Sequence, residues 1–217
     1  MRGRQRGKGC HKKICLRDKM KNLFVLIIAL FAFFGCGEDE SSSANFKEFS
    51  PNEEVKLVDV SGKELTLVRK DHGFAIKNDE NKVLMIDIFG TFCPPCQKEA
   101  AELTKYQLEN KDKFTLIGLT HFENVTNEYV LHEFMQKFNA YYFITNDQKI
   151  NDRLAEQIVR DIEYKHEIAL PFKVVIKNGE YQILTDVDSG QYGVKYYLGG
   201  IKVTKMKEDL AKIYETK

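Results

Sequence analysis

The strongest pattern in the chain is an apolar run, KVLMIDIFG at Lys82–Gly90, interrupted only by Asp87. A run of that length without alternation suits a strand buried on both faces. FTLIGLT (Phe114–Thr120) is a second such strand, and Cys96–Asn110 between them has helical composition. Upstream, VKLVDV (Val55–Val60) and ELTLV (Glu64–Val68) alternate around Ser61-Gly62-Lys63, which predicts a hairpin. Downstream, Val130, Leu131, Phe134 and Phe138 recur at helical spacing within Glu128–Phe138. Tyr141–Ile144 reads as a short strand, and Leu154, Ile158 and Ile162 form one stripe of a helix over Ile150–Ile162. FKVVI (Phe172–Ile176) and EYQIL (Glu180–Leu184) flank Asn178-Gly179, a pair suited to a tight type I′ turn. Val203, Met206, Leu210 and Ile213 mark a last helix. The order ββ, β-α-β-α-β-α, ββ, α predicts an α/β fold whose sheet contains parallel strands.

A different apolar run, Leu23–Phe34, opens the chain. Its 12 residues are too short to span a bilayer alone. Lys19 and Lys21 precede it, Gly35-Cys36-Gly37 follows, and a polar tail begins at Glu38. A basic segment, a short apolar segment and small residues in that order predict a secretory signal over residues 1–35 rather than a core helix. Cys36, directly after Gly35, resembles the lipobox of a bacterial lipoprotein. That resemblance implies a diacylglycerol on the Cys36 thiol, which would hold the protein to a membrane. Phe33 and Phe34 depart from the usual Leu and small residue of that motif. An ordinary cleaved signal and an uncleaved anchor are the alternatives. Met20-Lys21-Asn22 is a normal start for such a signal, so residues 1–19 are expected to be an over-extended start, with no role for Cys10 or Cys15. Residues 36–48 then read as a lipid-anchored polar tether, and residues 49–217 as one domain.

Charge changes meaning once the leader is set apart. The 217 residues carry a formal +1, but residues 1–35 hold nine Lys/Arg and one Asp. From Cys36 onward there remain 24 basic and 31 acidic residues. A body of about −7 has no basic surplus for phosphates, so nucleic acid is not an expected partner. Nor does a chain with five Cys match a disulfide scaffold.

Beyond Cys36 the cysteines are Cys93 and Cys96, in Cys93-Pro94-Pro95-Cys96, between a buried strand and a helix. A C-x-x-C at that junction is the signature of a redox dithiol. At a helix N-terminus, free N–H groups and the helix dipole favour the thiolate of Cys93, the species that attacks a disulfide. Cys96 lies one turn inside, within reach to resolve the mixed disulfide. No second Cys pair exists in the body to complete a structural zinc site.

The stretch VLMIDIFGTFCPPCQKEAAEL resembles the active-site strand, loop and helix of thioredoxin-like proteins, most of all the exported TlpA/ResA-type thiol-disulfide oxidoreductases of the redoxin group. The resemblance covers roughly Phe49–Lys217. It implies a thioredoxin-like fold, a central mixed sheet flanked by helices with an added N-terminal β-hairpin. It implies a protein-disulfide reductase without cofactor or metal, with Cys93 attacking and Cys96 resolving. Pro171 matches the family's cis-proline; Leu170 before it would present its backbone to a client, beside Phe92, Pro94 and Pro95. Asp87 matches the buried acid and Glu99 the active-site glutamate, each a base near Cys96. A strand-edge acid for Asp87 and a solvated helix residue for Glu99 are the plainer alternatives. Phe92 stands where the family usually has Trp, and Ala101 replaces the usual kinking Pro.

Pro94 and Pro95 lack N–H groups, so only later amides such as those of Cys96 and Gln97 can reach the Cys93 thiolate. No His lies between the cysteines. A less stabilised thiolate makes a less oxidising couple, which favours a reductant over a disulfide donor. An exported reductant meets an oxidising compartment. The family implies disulfide-containing exported clients, as in cytochrome c maturation, and a membrane thiol electron donor. A copper metallochaperone using Cys93, Cys96 and His121 or His166 is the competing class. A peroxidase of the wider redoxin group is a third, against which Gly90 stands where its motif has Thr. No oligomerisation signal stands out, so a monomer is expected.

Overall fold

A computed structural model describes residues 46–216. The expected signal, the expected lipidation site Cys36 and most of the expected tether lie outside the described residues. The strands are β1 (Glu54–Val58), β2 (Glu64–Arg69), β3 (Phe74–Ile76), β4 (Val83–Phe89), β5 (Phe114–Thr120), β6 (Phe143–Thr145), β7 (Phe172–Lys177), β8 (Glu180–Tyr181), β9 (Leu184–Thr185), β10 (Tyr192–Val194) and β11 (Tyr197–Leu198). The helices are α1 (Pro94–Glu109), α2 (Asn127–Tyr129, continued as a π-helix over Val130–Gln136), α3 (Gln148–Asp161) and α4 (Val203–Glu215).

The central sheet has the order β11-β7-β4-β5-β6, with β8 also on β7. β4, β5 and β6 run parallel, and β7 lies antiparallel to β4. The parallel strands are those the pattern predicts, and the mixed sheet is the one the resemblance implies. Strand alternation splits β4 between two cores. Val83, Met85 and Phe89 pack under α1 and α4, whereas Leu84, Ile86 and Ile88 pack with α3 and the N-terminal strands. Asp87 shares the parity of the first set.

The N-terminal hairpin is present, extended by the unpredicted β3 into a three-stranded antiparallel sheet. It is tied to the central sheet where Val60 N donates to the Ile144 carbonyl at 2.9 Å. Phe46 stacks under the Arg160 guanidinium, and Phe49 N donates to Gln157 Oε1, so chain from Phe46 onward packs on α3.

Two expectations are corrected. The helix over Glu128–Phe138 is largely π-helical, which brings Val130, Phe134 and Met135 inward together and turns Leu131 only half-inward. EYQIL is not one strand. Gln182-Ile183 breaks it, and Leu184 leaves β7 to pair with β10. The Asn178-Gly179 turn itself is as expected, with positive φ at both residues (54° and 79°). The short strand β10 and β11 escaped the pattern because they are too brief to show a period.

The β9–β11 segment and α4 are joined by a carboxylate. Asp209 of α4 is fully buried and accepts hydrogen bonds from Thr185 N (2.8 Å), Thr185 Oγ1 (2.8 Å) and Tyr197 Oη (2.9 Å). Truncating it strands three donors in an apolar setting, each costing about 1–3 kcal/mol. We therefore expect Asp209→Ala to lower unfolding stability by about 3 kcal/mol or more in urea titration, while Asp209→Asn, which keeps an acceptor, loses less.

Candidate active site

The site is built on the loop that leaves β4. Gly90 lets the chain fold tightly there, since a Cβ at Gly90 would lie 2.6 Å from the Phe92 ring. Thr91 is pinned by Glu123, whose carboxylate accepts from Thr91 N at 2.7 Å and from its hydroxyl. Gln97 Nε2 donates to the Thr91 carbonyl at 2.7 Å, closing the loop onto α1. Cys93 then caps α1, with Pro94 and Pro95 at the first helical positions. Proline is at home there, because its missing N–H is one the helix leaves unpaired anyway.

Cys93 and Cys96 form a disulfide. Cys96 N donates to Cys93 Sγ at 3.3 Å, whereas Gln97 N goes to the Cys93 carbonyl. One amide, not two, therefore reaches Cys93 Sγ. Both cysteines are nearly covered, Cys93 at 4% exposure and Cys96 at 2%, so the two sulfurs differ little in access in the oxidised state. Phe92 is the exposed aromatic beside them, at 56%. Pro94 and Pro95 are exposed as well. The Leu170–Pro171 peptide is cis. Leu170 packs, half-buried, against the apolar cluster that holds both cysteines. Pro171 is buried, and its carbonyl accepts from Gly199 N at 2.8 Å, which holds the chain just before β7 begins.

Beneath the dithiol lies a charged core. Asp87 and Glu99 are both buried, so neither is the water-facing acid of the plainer alternative. Between them sits the Lys173 ammonium, fully buried, 3.3 Å from Asp87 Oδ1 and hydrogen-bonded to Glu99 Oε1. Its contact with Asp87 is an ion pair without hydrogen-bond geometry, which leaves Asp87 Oδ1 without a hydrogen-bond partner. Glu99 Oε2 accepts from Ile201 N at 3.3 Å. Burial pushes the Asp87 carboxyl up, and Lys173 opposes it. Burial likewise raises Glu99 to about 7, with Lys173 lowering it and Asp87 raising it further. Burial alone would lower the Lys173 ammonium; the two carboxylates outweigh it and hold it above its ordinary value. Tyr142 is fully buried nearby, raised by burial and then by both acids.

Lys173 was not foreseen. Its signal was present, since FKVVI places a Lys in an otherwise apolar strand, on the parity of Val175. The missing piece was register, for Asp87 and Lys173 are direct partners across β4 and β7. Of the two histidines considered as ligands, His121 Nδ1 lies 2.8 Å from Asp152, and His166 is exposed against Tyr164. Among the described residues, no three His, Cys, Asp or Glu side chains converge as a metal site.

No family model matches the sequence, and no curated protein matches it. Solved structures do resemble it. A thioredoxin candidate from Neisseria meningitidis is 16% identical, with 78% of this chain and 93% of that one covered at a TM-score of 0.51. The thioredoxin domain of a thiol-disulfide oxidoreductase from Bacteroides vulgatus is 14% identical, with 79% and 100% covered at a TM-score of 0.48. A thioredoxin-family thiol:disulfide interchange protein from Chlorobium tepidum is 18% identical, with 79% and 97% covered at 0.47. The first likeness establishes the thioredoxin-like fold of this chain.

The raised acids carry a stability consequence. A carboxyl whose folded value lies above its unfolded one binds more protons folded than unfolded, so stability falls as pH rises between the two. For Glu99 that window runs from 4.5 to about 7. Asp87 adds a loss of the same sign. Denaturant titrations across this window should show wild-type stability declining with pH, and Glu99→Gln should flatten the decline.

Proposed function

We propose that the protein is an exported, membrane-anchored thiol-disulfide oxidoreductase that reduces disulfides of exported client proteins. One observation carries this reading. The Cys93–Cys96 disulfide caps α1, whose buried face carries Glu99 one turn after Cys96; Glu99 and Asp87 meet at the buried Lys173, and Leu170 of the cis peptide packs on the cluster that holds both cysteines.

Each piece has a task. In the reduced protein the Cys93 thiolate attacks a client disulfide. A Cys93–client bond forms, the client bond breaks, and one client thiolate leaves. Cys96 gives its proton to a carboxyl of the Asp87–Glu99 pair. Its thiolate attacks Cys93 Sγ, the Cys93–Cys96 bond forms, and the second client thiolate leaves. The client gains two electrons and the protein is left oxidised. Leu170 backbone, Phe92, Pro94 and Pro95 form the rim on which an extended client segment docks.

The direction follows from the helix start. Pro94 and Pro95 withhold two N–H groups, leaving the Cys96 amide as the one that reaches Cys93 Sγ. A thiolate stabilised by so few donors makes its dithiol form less stable, and the couple more reducing. The lipobox-like Cys36 and the polar sequence after it support a domain held outside a membrane by a lipid anchor. A membrane thiol donor would return the electrons. The resemblance to TlpA/ResA-type oxidoreductases supports exported protein clients, for example in cytochrome c maturation.

Equilibrating the chain from Phe46 onward against a thiol-disulfide buffer tests the direction. We expect a potential near thioredoxin's, about −270 mV, and a value near about −120 mV would make it a disulfide donor instead. Cys96→Ser should trap mixed disulfides with exported proteins, and Cys93→Ser should trap none.

A further inference from the structure

Lys173 is a side chain that a C-x-x-C pair does not by itself require. Its ammonium is sealed from water between two buried carboxyls. Three charges of that kind cannot all persist cheaply in a dry interior. One ammonium balances one carboxylate, which leaves the second carboxyl to hold a proton shared by the pair. Burial, and then the two acids, keep the Tyr142 phenol neutral. Cys96 lies one helical turn before Glu99, on the buried side of α1. The two acids differ in surroundings. Glu99 lines a cavity of about 580 Å³ with Pro95, Gly200 and Ile201. Asp87 lies on the strand side of Lys173, at 1% exposure.

We propose that Lys173 is a positioning residue that keeps the Asp87–Glu99 pair at one shared proton, so that the pair holds a vacant carboxylate for the Cys96 thiol proton and Glu99 releases that proton to solvent through the cavity beside Pro95. This rests on the thiol-disulfide exchange described above. The ammonium acts through the carboxylates and touches neither sulfur nor client. In the resolving step the Cys96 S–H bond breaks and a carboxyl O–H bond forms. The freed electron pair on Cys96 Sγ makes the disulfide, and the proton leaves by Glu99. Without the ammonium, both carboxyls stay protonated to higher pH and the acceptor is filled.

The test mixes the reduced full chain with an aromatic disulfide that releases a coloured thiolate, over a range of pH. The first release reports attack by Cys93 and the second reports resolution by Cys96. Lys173→Met should leave the first release at its wild-type midpoint and move the second upward by about 1–3 pH units, the range of an opposite charge's effect on a carboxyl. A second release that keeps its wild-type midpoint would reduce Lys173 to a structural ion and overturn the proposal. A wild-type protein with no second release would instead count against thiol-disulfide exchange. Carbon-13 titration of the wild-type carboxyls then decides, as it does should Lys173→Met not fold. One proton taken up near neutral pH, moving Asp87 and Glu99 together, supports the shared proton. Two independent titrations in the ordinary carboxylate range sink it.

Discussion

The antiparallel pairing of β4 with β7 is the constraint on which the site depends. It sets Asp87 directly opposite Lys173, on the sheet face that α1 covers. A buried ammonium and a buried carboxylate each cost several kcal/mol to desolvate, and their attraction repays this only with good geometry and further hydrogen bonds. Glu99, reaching down from α1, supplies one such bond. The same three side chains thereby tie the central strands to the helix that carries the dithiol. A one-residue slip of β7 would turn Lys173 to the other core and leave Asp87 buried without a countercharge.

Above that charged layer, the helix start decides the sulfur chemistry. Cys93 serves as the N-cap of α1, so its sulfur takes a place usually held by Ser, Thr, Asp or Asn. The capping amide is then also the donor that would stabilise a thiolate. The two prolines give the helix a preset backbone while removing other donors. Stability of the helix end and the donors available to the Cys93 sulfur are set by the same residues.

The cover over Glu99 comes from a part of the chain with little regular structure. Ile201 N meets Glu99 Oε2, and Gly200 sits against Pro95 with room for no more than a tight Cβ contact at 3.3 Å. That loop is held by Asp209, which draws β9 and β11 onto α4. Elements remote in sequence from the cysteines thus govern how far water reaches the acid beneath them.

Periodicity alone determined the α/β class, the buried strands β4 and β5, the helical stripes of α3 and α4 and the Asn178-Gly179 turn, because each is written in the spacing of near neighbours. The spacing of Cys93 and Cys96 at a strand–helix junction determined the chemistry, since a helix start favours thiolate wherever it occurs. The resemblance pointed to the cis bond at Pro171, to Asp87 and to Glu99. Tertiary structure decided what long-range pairing decides. Lys173 looked like an odd charge in FKVVI until register placed it against Asp87. The break in EYQIL, the π-helical course of Val130–Gln136 and the short edge strands follow from packing on distant segments, which no local period encodes. Whether Glu99 meets water or ammonium depended on a strand 74 residues away, and only the folded chain brings them together.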